Sequence, residues 1–237
     1  MRLAALRQKN CLILHDADSL CDAAPSHQFH PKLFSAEYWR ERGLVVGEAP
    51  GRGSSLFLQT TPTEQWVLRP YRRGGMAAKL SEQRYLWLGE ERTRAFRELR
   101  LTATLFDRGL PVPRPVACCV NRYGLTYEAA LITVRIAGAK ALADLLINDQ
   151  ADEALLQQVG GMIKRFHQAG LDHVDLNARN ILIDSHGQPW LIDLDRCRLR
   201  GAGKWREGNL ERLERSIYKF QPALSFSPIL HGYRTES

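Results

Sequence analysis

Two short apolar runs, Ile181-Leu182-Ile183 and Trp190-Leu191-Ile192, flank the turn-forming stretch Ser185-His186-Gly187-Gln188-Pro189. Runs this short, bounded by Gly and Pro, predict a small β-hairpin. The polar residues fall at its ends. Asp175 and Asn180 precede the first strand, and Asp193 ends the second. The hairpin would bring three polar side chains, able to bind a metal or activate a hydroxyl, to one mouth.

Upstream, the pattern is uneven. Residues 1–34 carry Asp, His, Ser and Pro without a steady period, which leaves an arm or short strands. Ser35 precedes a helix-favouring run that Gly43 ends. Strands are predicted at 44–46, 56–60 and 65–69. Phe96, Leu99, Ala103, Phe106 and Leu110 recur at helical spacing, so 90–107 is predicted helical. The proline-rich 109–115 breaks that helix and favours extended chain. Two strands follow, 116–120 and 125–136. Residues 133–136 end the second of these strands. Helices are predicted at 139–147, at 152–168 with Leu155, Val159, Met162, Ile163 and Phe166 buried, and at 209–220 with Leu210, Leu213, Ile217 and Phe220 inward. His167 suits a core or cap role. The tail from Gln221 is expected to pack loosely. The sum is an α+β fold.

Composition narrows the class. A chain of 237 residues, 44% hydrophobic, suits one two-lobed domain or two small ones. No apolar run approaches the ~20 residues that span a bilayer, and the first twenty residues hold no secretory signal. Residence on the cytosolic side is expected. The five cysteines are odd in number and lack C-x-x-C spacing, so unpaired thiols are expected and a zinc site is not. The net charge of +7 favours an anionic partner. The basic residues are spread along the chain without a nucleic-acid motif, which disfavours nucleic acid.

Three upstream features carry possible chemistry. Gly51-Arg52-Gly53-Ser54 lies between two predicted strands, where glycine lets backbone N–H groups approach phosphates; alone it also suits an ordinary hairpin loop. Arg69 ends the third strand. Glu98 lies in the helix that follows, where it either pairs with Arg69 or joins Arg94, Arg97 and Arg100 in surface pairs.

His173, Asp175, Leu176 and Asn180 match the H-x-D-L-x-x-x-N pattern of the protein-kinase-like fold, with Asp193 where that fold has the Asp of D-F-G. The resemblance implies a two-lobed fold: an antiparallel-sheet N-lobe over 1–135 and a reduced helical C-lobe over 136–237. It assigns Asp175 as catalytic base, Asn180 and Asp193 as Mg²⁺ ligands, and Gly51, Gly53, Ser54, Arg69 and Glu98 to ATP binding. His173 would brace the loop. Two departures stand out. Arg69 replaces the usual Lys, and Asp195 replaces the Gly of D-F-G. Asp195 would either add a metal contact or pair with Arg196 or Arg198.

Only about forty residues follow Asp195, with no A-P-E motif, so no protein substrate is expected. This short end, the Asp193-Leu194-Asp195-Arg196 run, the Arg69-x-x-Arg72-Arg73-Gly74-Gly75 segment and the 173–180 motif together resemble the lipopolysaccharide kinase family of Gram-negative bacteria. The likeness runs from about Gly43 to Leu213. It implies ATP-dependent, Mg²⁺-assisted phosphorylation of the 4-hydroxyl of 3-deoxy-D-manno-octulosonic acid (Kdo) on Kdo-lipid IVA, an anionic lipid A precursor. It further implies a peripheral position on the cytoplasmic side of the inner membrane, with Arg72, Arg73, Arg196, Arg198 and Lys204 toward lipid. A heptose kinase of the same family would share every motif. A kinase for cationic small molecules fits the arginine surplus poorly. An inactive nucleotide-binding module would explain the two departures, but not the intact Asp175, Asn180 and Asp193.

Overall fold

The N-terminal strands lack a two-residue period because both faces of their sheet are covered. In β2 (Cys11–Asp16), Ile13 and Leu14 point to opposite faces and are 0% and 2% exposed. β2 forms a hairpin with β1 (Leu3–Gln8). The stretch left open as an arm or short strands thus begins as the edge of a sheet.

The computed structural model describes residues 1–17, 29–49, 55–71 and 84–235. The chain forms two compact units, residues 1–103 with 114–135, and residues 104–113 with 136–237. The first unit holds α1 (Ala36–Arg40), β3 (Val45–Glu48), β4 (Leu56–Gln59), β5 (Gln65–Pro70), β6 (Tyr85–Leu86), α2 (Arg94–Asp107, through Ala103), β7 (Pro115–Tyr123) and β8 (Thr126–Val134). Its strands are antiparallel, in the order β1-β2-β7-β8-β5-β4-β3, with β6 paired to the far end of β8.

Adjacent residues feed two cores. On one face Ile13, Trp39, Leu58, Leu68 and Ile132 pack together. On the other, Phe96 and Leu99 of α2 meet Leu14, Tyr71, Val120, Tyr127 and Leu131. Cys118 and Cys119 show the same split. Cys11 and Cys119 bring their sulfurs to 3.0 Å, and Cys11, Cys118, Cys119 and Cys197 are buried thiols outside any disulfide. Burial holds the Cys118 thiol well above its usual range.

The second unit contains β9 (Lys140–Ala141), α3 (Leu142–Ile147), α4 (Glu153–Gln168), β10 (Leu171–Asp172), β11 (Ile181–Ile183), β12 (Pro189–Leu191), β13 (Arg198–Leu199), α5 (Trp205–Phe220) and α6 (Ser227–Thr235). The predicted hairpin is β11–β12, with Leu182 opposite Trp190. Asp184 organises its turn, accepting from His186 N (2.8 Å), Gln188 N (2.9 Å) and Trp190 Nε1 (2.9 Å). Leu191 N donates to Pro111 O at 2.9 Å, which ties the proline-rich segment to this hairpin.

Several expectations change. Helix α2 starts at Arg94, α5 starts at Trp205, and Phe106 is exposed. The helix predicted from 139 starts at Leu142, because Lys140 and Ala141 first pair as a strand with β11. In α4, capped by Asp152 through Leu155 N (2.8 Å), the core residue is Leu156, while Leu155 is half-buried. The tail is tightly packed: Ile229 of α6 is fully buried, and a Cβ on Gly232 would lie 1.9 Å from Gln157 O of α4. A Cβ on Gly160 would meet Ile229 O at 2.0 Å. Phe226 is buried as well, and glycine spacing, which no hydrophobic count records, sets how closely α6 approaches α4.

Candidate active site

The loop after β10 is held from its backbone. Leu176, 1% exposed, anchors it in the core. Asn177 Nδ2 and Asn180 Nδ2 both donate to Asp175 O at 2.9 Å. Asn177 Oδ1 accepts from Arg179 N at 2.9 Å, and Ala178 N donates to Ser216 Oγ of α5 at 3.0 Å. The Asp175 carboxyl is exposed while its carbonyl is doubly clamped. Asn180 spends its amide nitrogen inward, which leaves Oδ1 as its acceptor for an outside group.

His173 links this loop to the far strand. Burial holds its imidazole below the ordinary range, against the opposing pull of the Ile192 carbonyl, Asp193 and Asp175. Its Nε2–H donates to Ile192 O at 3.1 Å. Both carboxylates therefore lie close enough to act on His173. Ile192 N in turn donates to Asn180 O at 3.0 Å, which extends the hairpin to its mouth. The structure brings Asp175 and Asn180 together and ties Asp193 to them through His173 and Ile192.

Asp193 adopts φ +60° and Arg196 φ +60°. Left-handed backbone is costly for non-glycine residues and marks a constrained site. Asp195 is not among the left-handed residues, which explains how an aspartate stands where a glycine was expected. Cys197 N closes the turn on Leu194 O at 3.0 Å. Arg198 pairs instead with Asp172 at 3.6 Å, and Arg200 joins it at 2.9 Å. One of the arginines expected at a lipid face, Arg198, is thus engaged within the protein.

In the first unit Arg69 and Glu98 form an ion pair. Glu98, 4% exposed, takes the Arg69 guanidinium on one oxygen and the Tyr71 hydroxyl on the other. The Arg69 guanidinium also lies 4.9 Å over the Tyr71 ring. Burial and the neighbouring carboxylate hold the Tyr71 hydroxyl well above its usual range, so it stays a donor.

Gly51, Gly53 and Ser54 lie outside the described residues, as do Arg72, Arg73, Gly74 and Gly75; Ala49 N donates to Ser55 O (2.8 Å) at the ends of the first stretch. In the 133–136 stretch, Val134 N donates to Arg114 O and Arg135 N to Gln65 O, so those two donors are spent in the first unit. Tyr71, Asn177 and Asp172 escaped the sequence argument. Asn177 carried a signal, because an Asn two residues past a loop Asp favours local backbone bonds.

Among the described residues, no group of three or more His, Cys, Asp or Glu could hold a metal. One carboxylate and one amide oxygen suit a hard cation that takes its other ligands from phosphate and water.

A model of the lipopolysaccharide kinase (Kdo/WaaP) family matches residues 36–228. A Xylella fastidiosa (strain M12) protein named 3-deoxy-D-manno-octulosonic acid kinase is 46% identical over 215 residues, 90% of this chain and 85% of that protein. A Stenotrophomonas maltophilia (strain K279a) protein of the same name is 46% identical over 216 residues, with the same shares. One from Xanthomonas campestris pv. campestris (strain B100) is 48% identical over 203 residues, 85% of this chain and 80% of that one.

Proposed function

The chain belongs to the lipopolysaccharide kinase (Kdo/WaaP) family, and on that premise we propose that it transfers the terminal phosphoryl group of ATP to the 4-hydroxyl of Kdo on Kdo-lipid IVA. The observation that carries this reading is the 173–180 loop, which presents an exposed carboxylate on a doubly clamped backbone. Phosphoryl transfer asks for positioning and charge neutralisation more than covalent chemistry.

The roles follow from what each side chain has left to offer. Asp175 orients the acceptor hydroxyl and takes its proton. Asn180, through Oδ1, and Asp193 would hold Mg²⁺. When bound, that ion would neutralise charge on the nucleotide phosphates. His173 is a positioning residue that fixes the spacing between the loop and Ile192. Arg69 holds phosphate oxygens, with its direction set by Glu98 and Tyr71. Arginine serves there because a planar guanidinium can hold Glu98 and present other N–H donors at once. The two units correspond to the lobes of a protein-kinase-like fold, the second a reduced C-lobe.

We place the protein at the cytoplasmic side of the inner membrane. The net charge of +7 and an anionic lipid acceptor support this placement, and no described helix is long and apolar enough to cross a membrane. The test is transfer from γ-labelled ATP, with and without Mg²⁺, to detergent-dispersed Kdo-lipid IVA. Label on the Kdo 4-hydroxyl is expected, and chelation should abolish it. Label only on a heptosylated core would assign a heptose kinase. ATP binding without transfer to either would leave an inactive module.

A further inference from the structure

The strand β6 reverses the usual sorting of a sheet's outer face. From Arg84 to Leu88 the side chains alternate, with Tyr85 and Trp87 packed into the core and Arg84, Leu86 and Leu88 exposed. A strand with one wet face ordinarily places polar residues there. Here Leu86 and Leu88 are 66% and 67% exposed. Leu125, in the β7–β8 turn, is 79% exposed, and Tyr123 is 45% exposed.

These four side chains form one neighbourhood. Leu86 pairs across the sheet with Thr126, which also pairs with Tyr123. Trp87 N donates to Leu125 O at 2.9 Å. The Arg84 guanidinium lies 4.7 Å over the Tyr123 ring, and Arg122 lies 5.0 Å over Trp87. Arg122 N reaches the β1–β2 turn at Asn10 O, 2.8 Å away, beside Lys9. Arg7 bonds Glu90 at 2.6 Å, two residues past Leu88, and Arg84 bonds Glu128 at 3.3 Å. Among the described residues, Arg7, Lys9, Arg84 and Arg122 thus stand near this apolar centre, with Arg7 paired to Glu90 and Arg84 to Glu128.

We infer that this rim of the first unit docks on an anionic lipid bilayer, with Leu86, Leu88 and Leu125 entering the headgroup boundary and the surrounding cations meeting lipid phosphates. Apolar side chains within a basic surround bind such interfaces reversibly. Arginines laid over aromatic rings keep an apolar body and a wet, charged tip, which suits that depth. Four exposed side chains fall short of the ~800 Å² per partner that a stable dimer buries, which favours lipid over a second copy of the chain. The inference rests on the reading of a lipid-linked acceptor.

The test compares the full chain with the triple variant Leu86→Ser, Leu88→Ser, Leu125→Ser. These exposed positions lie outside the proposed machinery, so both proteins should fold alike and transfer phosphate equally to acceptor in detergent micelles. On phosphatidylcholine vesicles containing phosphatidylglycerol, the wild type should sediment with lipid, and the variant's bound fraction should fall at least about tenfold. Transfer to acceptor in those vesicles should fall in parallel. Equal vesicle binding by both proteins overturns the docking surface. A wild type that is dimeric by light scattering, with a monomeric variant and unchanged lipid binding, overturns it in favour of self-association. Vesicle binding that needs the leucines, without transfer in micelles, overturns the kinase reading and leaves the docking surface standing.

Discussion

Glu98 and Asp175 are both carboxylates, but the chain treats them in opposite ways. Glu98 is buried at 4% exposure, and both its oxygens are taken by Arg69 and Tyr71. Asp175 is exposed and held only by its backbone carbonyl, through Asn177 and Asn180. A buried carboxylate with every oxygen paired is costly to disturb and fixes its partners. An exposed one on a rigid loop is cheap to change structurally and free to meet a substrate. The first unit therefore spends side chains to hold a cation still, and the second spends backbone to keep a side chain available.

Substitutions can break or sharpen this contrast. The largest effect is expected at Asp175→Asn: turnover should fall about a thousandfold or more, ~4 kcal/mol in activation free energy, while the urea midpoint stays in place. A shifted midpoint would mean that the carboxylate is structural after all. Glu98→Gln should do the reverse in proportion. It removes the charge facing a partly exposed Arg69 and should cost about 2–3 kcal/mol of folding stability, less than a fully buried pair, with a smaller loss of turnover. A variant with wild-type stability would place Glu98 among ordinary surface pairs.

The smallest effect is a slope. Burial and nearby Arg206 hold His167 down to about 4, from an ordinary value near 6.5. Below pH 6.5 the unfolded chain gains a proton that the folded chain refuses until about pH 4. This residue's contribution is therefore flat above pH 6.5 and turns destabilising as pH falls through that window. Its slope reaches at most ~1.4 kcal/mol per pH unit. Urea unfolding of His167→Gln between pH 7 and 4 should show a shallower loss; an unchanged slope would trace the acid sensitivity to other groups.

The sequence made the hairpin and its polar ends legible, because short apolar runs between turn residues leave few alternatives. The Arg69–Glu98 pair was legible only through the resemblance to the kinase-like fold, which keeps a Glu in the helix after the cation-bearing strand. Tyr71, which completes it, was not, since a tyrosine two residues along a strand looks like ordinary packing. The N-terminal hairpin was obscured because Ile13 and Leu14 feed opposite cores. Arg198 was expected to pair with Asp195 or to face lipid, but Asp172, three residues before Asp175, reaches forward to take it together with Arg200. Such long-range pairing leaves no periodic trace.

The close approach of α4 and α6, at Gly160 against Ile229 O and at Gly232 against Gln157 O, carries a last consequence. Where a methyl group would overlap a carbonyl oxygen, the glycine Cα–H faces it instead, a geometry that supports weak C–H···O attraction. The larger effect is on alignment. Sliding α6 along α4 by one residue would set Tyr233 or His231 against the Gln157 carbonyl in place of the glycine. The two glycines thus work as a detent that lets the C-terminal helix seat at one notch only.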